Sequence, residues 1–161
     1  MKTDYRTNSI HQIATLRLNS SFGGKKSHFM KISNVSASFT TDNVEGTRDF
    51  YVKYLHAKVT FDCGWYINLE FGNPDSSLQF MSPQQDHHKL SSSDGIIYNF
   101  KVENVNEIYT RFVNEGLKVV APLEDHPWGD RGFSIKDPNG ITLYLYEDRE
   151  PSSEYQQYYK G

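Results

Sequence analysis

His126-Pro127-Trp128-Gly129-Asp130-Arg131-Gly132-Phe133-Ser134-Ile135-Lys136-Asp137-Pro138-Asn139-Gly140-Ile141-Thr142-Leu143-Tyr144-Leu145-Tyr146 reads as a loop, a strand, a tight turn and a second strand. Pro presets one turn angle and Gly tolerates positive φ, so Asp137-Pro138-Asn139-Gly140 is a hairpin signal. The same layout recurs more weakly upstream. There Trp65–Phe71 meets a turn at Asn73-Pro74-Asp75-Ser76, followed by Leu78–Met81. Two such units can enclose a ligand cleft, and the residues lining that cleft decide between catalysis and binding.

Working outward, both units show one order of elements. In the first, Ile32–Thr40 alternates as a strand with Val35, Ala37 and Phe39 on one face. Asp42 or Asn43 can cap a helix, along which Val44, Thr47, Phe50, Tyr51, Tyr54 and Leu55 recur at helical spacing. Lys58–Phe61 and Trp65–Phe71 follow as strands. In the second unit, Ile96–Val102 is a strand and Asn104 caps a helix carrying Val105, Ile108, Tyr109 and Phe112. Gly116 ends that helix in the left-handed conformation, and Leu117–Ala121 is a strand. Sliding one unit on the other superposes Phe39 on Phe100 and Asn43-Val44 on Asn104-Val105. The fold class expected is α+β: two tandem βαβββ modules, about 31–82 and 94–148, forming facing curved sheets around a cleft. Residues 1–29 read as a poorly ordered polar extension, and Ser82–Asp94 as the inter-module linker. Residues 149–161 form a polar tail whose Tyr155, Tyr158 and Tyr159 pack back as a short helix.

Composition narrows the partners. The 161 residues suit one domain or two small modules sharing a core. A net charge of −3 and a pI near 6.0 give no basic footprint for nucleic acid or an anionic membrane. No run approaches the ~18 apolar residues of a membrane span. The lone Cys63 offers no disulfide or CxxC signature, which points to a reducing, cytoplasmic setting. Aromatic residues make up 14% of the chain, a surplus able to line a pocket for flat organic ligands.

The module repeat, the Phe50-Tyr51 pair and Trp128-Gly129-Asp130-Arg131-Gly132-Phe133 before Asp137-Pro138-Asn139-Gly140 resemble the vicinal oxygen chelate superfamily. That superfamily includes glyoxalase I, extradiol dioxygenases and bleomycin-resistance proteins, and the resemblance covers roughly Lys31–Asp148. It is nearest to the bleomycin-resistance branch. Metal-using members hold a divalent ion with a His or Gln on each module's first strand and a Glu on each last strand, leaving open positions for substrate oxygens. The matching positions here are Ser36, Ile97, Tyr144 and a position close to Gln79. No metal and no cofactor are therefore expected.

Strand alternation sends Ile141, Leu143 and Leu145 beneath the helices and Thr142, Tyr144 and Tyr146 to the concave side. Thr142 and Tyr144 would join Ser36, Ser38 and Gln79 in a cleft suited to hydrogen bonding and stacking. Trp128 is a stacking lid or a loop anchor. Arg131 clamps an anion or pairs with Asp130 or Asp137. His126, next to Asp125, is a tuned base or a solvated loop residue. Trp65 reads as a core residue or as part of the opposite wall, and His56 as a cation at a helix C-terminus. These readings favour a metal-independent protein that sequesters a drug-like or aromatic ligand in the inter-module cleft. The alternative is a glyoxalase-like lyase, isomerase or dioxygenase using a divalent metal or a compensating base. The resemblance implies a homodimer.

Overall fold

The structure, a computed structural model, describes residue 30 and residues 32–160. The expectation for residues 1–29 lies outside them. Ser33–Gly161 forms one compact unit. Its first module runs β1 (Ala37–Thr40), α1 (Val44–Leu55), β2 (Lys58–Asp62), β3 (Tyr66–Phe71) and β4 (Asn73–Met81). The second repeats the order with β5 (Ile97–Lys101), α2 (Val105–Asn114), β6 (Val119–His126), β7 (Asp130–Lys136) and β8 (Thr142–Asp148), before a short α3 (Ser153–Gln156). Each module is a four-stranded sheet, ordered β1-β4-β3-β2 and β5-β8-β7-β6. The first strand of each runs parallel to the last, and the other pairs are antiparallel. The two βαβββ modules are those the repeat predicts.

Several boundaries differ from the sequence expectation, each for a pairing reason. Only Ala37–Thr40 of the expected 32–40 strand finds a partner, Leu78–Met81, and Val35 is left exposed. The first-module turn is not Asn73–Ser76 but Gly72, at φ 75°, so Asn73 already opens β4. β6 begins at Val119, later than expected, and runs on to His126 because it pairs with β7 along that length. Trp65 is not core: it stands outside β3, half exposed, against Tyr66.

The helix starts also diverge. Asn43 caps α1 as expected, its side-chain oxygen accepting from Gly46 N at 3.1 Å. Asn104 takes a left-handed conformation and makes no side-chain cap bond. Glu147 replaces it, accepting from Val105 N at 2.9 Å. That bond, ahead of the nearby Arg149, holds the Glu147 carboxyl below the usual glutamate range. Gly116 sits at φ 80° beyond α2, as predicted.

Alternation decides what is buried. Ile67 and Leu69 on β3, Phe80 on β4, Phe133 and Ile135 on β7, and Leu143 and Leu145 on β8 face the helices and are almost wholly enclosed. The modules join through these helix-bearing faces, where Phe39 meets Tyr98, Phe71 meets Phe100 and Tyr54 meets Phe112 edge to face. The Asp137–Gly140 turn completes the joint. Asp137 is buried and accepts from its own turn at Asn139 N (2.9 Å) and Ile141 N (2.8 Å). It also accepts from Tyr51 Oη of the first module at 3.1 Å. Burial, then the Asp137 charge, raises the Tyr51 phenol far above its ordinary value, so it remains a donor. Asn139 adds bonds with Thr41 (2.5 Å) and Thr47 (3.0 Å). The most recognisable turn of the sequence is thus a pin between modules.

Candidate functional site

Opposite the helix-bearing faces, each sheet carries a polar face, and the two differ in chemistry. On the first, one side chain per strand joins a ladder. Ser38 Oγ on β1 donates to Gln79 Oε1 on β4 at 3.0 Å, and Gln79 Nε2 donates to Asn68 Oδ1 on β3 at 2.9 Å. Asn68 Nδ2 donates in turn to Thr60 on β2. Ser38, Gln79 and Asn68 are register partners across β1, β4 and β3, and the irregularity between Val59 and Phe61 brings Thr60 beside Asn68, so the amides are satisfied across the sheet.

The second face is built around one carboxylate. Asp130 Oδ1 accepts from Tyr144 Oη at 2.9 Å and stands 2.8 Å from His126 Nδ1; Oδ2 accepts from Trp128 Nε1 at 3.0 Å. An ionised carboxylate only accepts, so His126 carries its proton on Nδ1. Nε2 has no partner among the described residues. The rings form a row: Trp128 stacks on His126 at 4.4 Å and 10°, and Tyr144 stacks on Tyr146 at 5.6 Å and 9°. The edge of His126 meets Tyr144 at 6.1 Å. Burial, followed by the bond to Asp130, raises the Tyr144 phenol well above its ordinary value and keeps it neutral.

The sequence achieves this by alternation. Asp130 and Gly132 share a face of β7 with Tyr144 of the adjacent β8. Gly132 is required sterically, because any Cβ there would collide with the Tyr144 phenol. Trp128 lies in the Pro127–Gly129 turn, which the tail fastens. Ser152 N bonds Pro127 O, Arg149 N bonds Gly129 O, and Tyr159 Oη donates to Trp128 O at 2.5 Å. Tyr155, in α3, packs near Trp128, whereas Tyr158 and Tyr159 lie beyond α3 and are exposed.

Of the eight residues proposed from sequence, His126, Trp128 and Tyr144 come together, as do Ser38 and Gln79, but no contact joins the two groups. Ser36 lies apart, in a groove of about 570 Å³ between β1, β4 and β5, with Phe71, Tyr98, Asn99 and Lys101. Burial and Asp137 raise the Tyr98 phenol to about 12. Thr142 pairs with Ile97 and Lys136 at the start of β8. Arg131 lies on the helix-bearing face, where it binds Asn106 at 3.0 Å and Asp125 at 2.8 Å, not Asp130 or Asp137. His126 likewise pairs with Asp130, four residues on, not with neighbouring Asp125. Sequence reading did not nominate Asp130, Gly132 or Asn68 for the site, and it put Tyr146 on the concave side without nominating it. The spacing Trp128-x-Asp130-x-Gly132 was the available signal for the first two.

The family's metal positions do not suit a divalent ion. Ile97 offers no donor, Ser36 stands apart, the Gln79 amide is committed to Ser38 and Asn68, and the protonated Tyr144 phenol to Asp130. Among the described residues, no three His, Cys, Asp or Glu side chains gather as a metal cluster.

The fold and these two sheet faces define a tandem-βαβββ protein with an aromatic and polar candidate ligand surface. The chain belongs to the Glyoxalase/Bleomycin resistance protein/Dioxygenase superfamily, whose model matches residues 28–145. No curated protein matches the chain in sequence. Among solved structures it is similar to a glyoxalase/bleomycin resistance protein/dioxygenase from Nocardioides, with 16% identity over 77% of this chain and 88% of that one, and a TM-score of 0.62. It is also similar to lactoylglutathione lyase from Agrobacterium tumefaciens (17%, 73% and 96%, 0.58). A third similar structure is TioX from Micromonospora sp. ML1 (18%, 72% and 98%, 0.58). At such identities the likeness concerns the fold. No helix among the described residues is long and apolar enough to cross a membrane.

Proposed function

We propose that the protein is a metal-independent binder that sequesters a flat, drug-like or aromatic molecule, in the manner of bleomycin-resistance proteins. The observation that carries this reading is the row Trp128–His126–Tyr144–Tyr146, held by Asp130. Stacked rings present π-faces to a planar ligand, and His126 Nε2 supplies one hydrogen-bonding point. Trp128 is 45% exposed, enough to meet a ligand directly. The ligand is neutral or cationic, in keeping with the acidic balance, and no cofactor takes part. The binding unit is a homodimer, with both modules or both subunits contributing to the cleft, and its setting is the cytoplasm.

Titration with bleomycin and planar aromatic cations tests the reading in a Trp65→Phe background, where Trp128 is the only tryptophan. Saturable quenching with a matching rise in Tm is expected, and Trp128→Ala should weaken binding by about tenfold or more, as for loss of a stacked anchor. No quenching by any planar compound would sink the proposal. Stoichiometric Zn, Ni, Mn or Fe in purified protein, with activity lost on chelation, would favour the enzyme alternative. Sedimentation velocity checks the dimer.

One feature supports a second reading. The His126–Asp130 pair, with Nε2 free and Tyr144 alongside, is the geometry of an oriented general base. A glyoxalase-like isomerase working without metal would use it so, and His126→Gln would then abolish turnover while leaving ligand affinity within about threefold of the unaltered protein.

A further inference from the structure

A second cavity, of about 290 Å³, lies between the end of α1, the β3–β4 turn and α2. Phe71, Phe100, Phe112 and Leu145 supply apolar walls, and Arg111 supplies a cation. It shares no residue with the Trp128 row, and nothing in the preceding functional reading uses it.

Arg111 differs from the other arginines among the described residues. Arg48, Arg131 and Arg149 each pair with an Asp or Glu. Among the described residues, no carboxylate reaches Arg111. Its Nη2 donates to Tyr54 O at 3.0 Å, at the carbonyl end of α1, and Nη1 stands 3.1 Å from His56 Nε2. Both contacts are to uncharged acceptors, since His56 must present a lone pair to a guanidinium that only donates. The Nε–H is buried with no acceptor among the described residues. The helix terminus and the face of Phe112, 5.0 Å away, stabilise the charge in part. Neither supplies a counter-anion, and a buried donor left unmet is costly. Lys101 also borders the cavity, but its ammonium is held by Asp148. His56 adopts a left-handed φ of 54° without being glycine, which places its ring beside Arg111.

We propose that this cavity binds a small amphipathic carboxylate, with its charge on Arg111 and its apolar body against Phe71, Phe100 and Phe112. A planar guanidinium edge matches a planar carboxylate. The aromatic walls select an acid with a hydrocarbon body over a bare inorganic anion. One uncommitted cation suits a monoanion.

Calorimetric titration of the intact chain with hexanoate and benzoate, against hexanamide, benzamide and inorganic phosphate, tests this. Each acid should bind at least about tenfold more tightly than its amide, the difference expected of a charge-assisted contact. Phosphate should bind more weakly than either acid. Arg111→Gln should erase the preference of acid over amide, whereas Trp128→Ala should leave it unchanged. Arg111 also braces α1, so the variant can lose stability; the acid–amide comparison on the unaltered protein then decides alone. Equal affinity for acid and amide, no binding of either acid, or phosphate binding as tightly as hexanoate would overturn the proposal.

Discussion

The two modules share a topology but use it differently. On the first sheet, Ser38, Gln79, Asn68 and Thr60 bond to one another across four strands. On the second, Tyr144, His126 and Trp128 converge on Asp130, and two pairs of rings stack. The amide ladder closes on itself, whereas the carboxylate-centred cluster leaves Nε2 and several π-faces available. The hairpins differ as well. The second-module turn drives Asp137 into the first module, while the first-module hairpin turns at Gly72 and leaves Asp75, on β4, exposed. A fold repeat therefore fixes where side chains stand, and residue chemistry decides whether a face is merely satisfied or able to bind.

The largest test of this contrast is Asp137→Ala. It strands Ile141 N, Asn139 N and the buried Tyr51 phenol together, and should destabilise by roughly 3 kcal/mol in urea denaturation. An effect below about 1 kcal/mol would mean that aromatic contacts alone hold the joint.

Next, Gly132→Ala puts a methyl group onto the Tyr144 phenol and should cost about 2 kcal/mol through overpacking. Trp128 fluorescence should change with it, as the ring row shifts. A silent substitution would show that the row is not rigid.

The caps offer a sharper comparison. Asn43→Ala and Glu147→Gln should each lose about 1 kcal/mol at neutral pH. The first loss is independent of pH. The second is not, because the folded-state Glu147 titrates below its ordinary value of 4.5. Its contribution is complete above that value and disappears as pH falls through the depressed folded-state value. Thermal unfolding from pH 7 to pH 3 should show the Glu147→Gln curve converging on the parent while that of Asn43→Ala stays apart.

Smallest of all is Asp75→Ala, at the acid that follows the first-module turn at Gly72. It should change stability by less than about 0.5 kcal/mol, as expected at an exposed position. A larger loss would mean that the two turns are more alike than their burial indicates.

Much of the architecture was legible in the chain. Period-2 alternation at Ile141–Tyr146 assigned Leu143 and Leu145 to the core and Tyr144 to the opposite face. The helical spacing through Tyr51, the Asn43 cap and the Gly116 stop were readable because each depends on neighbours within a few residues. Ends that depend on a distant partner were not, hence the late start of β1 and the turn at Gly72. The site was half legible. Trp128, His126 and Tyr144 could be nominated one at a time, but Asp130 entered only as a possible partner of Arg131 until β7 and β8 were in register.

Sequence by itself determined the βαβββ repeat and the core faces, since these follow from residue identity and local periodicity. Only tertiary structure decided that Arg131 binds Asn106 and Asp125, that Asp130 organises the rings and that Arg111 lines a cavity with no carboxylate in reach among the described residues. Hydrogen bonds and ion pairs act over a few ångströms between residues far apart in the chain, and packing alone sets those distances.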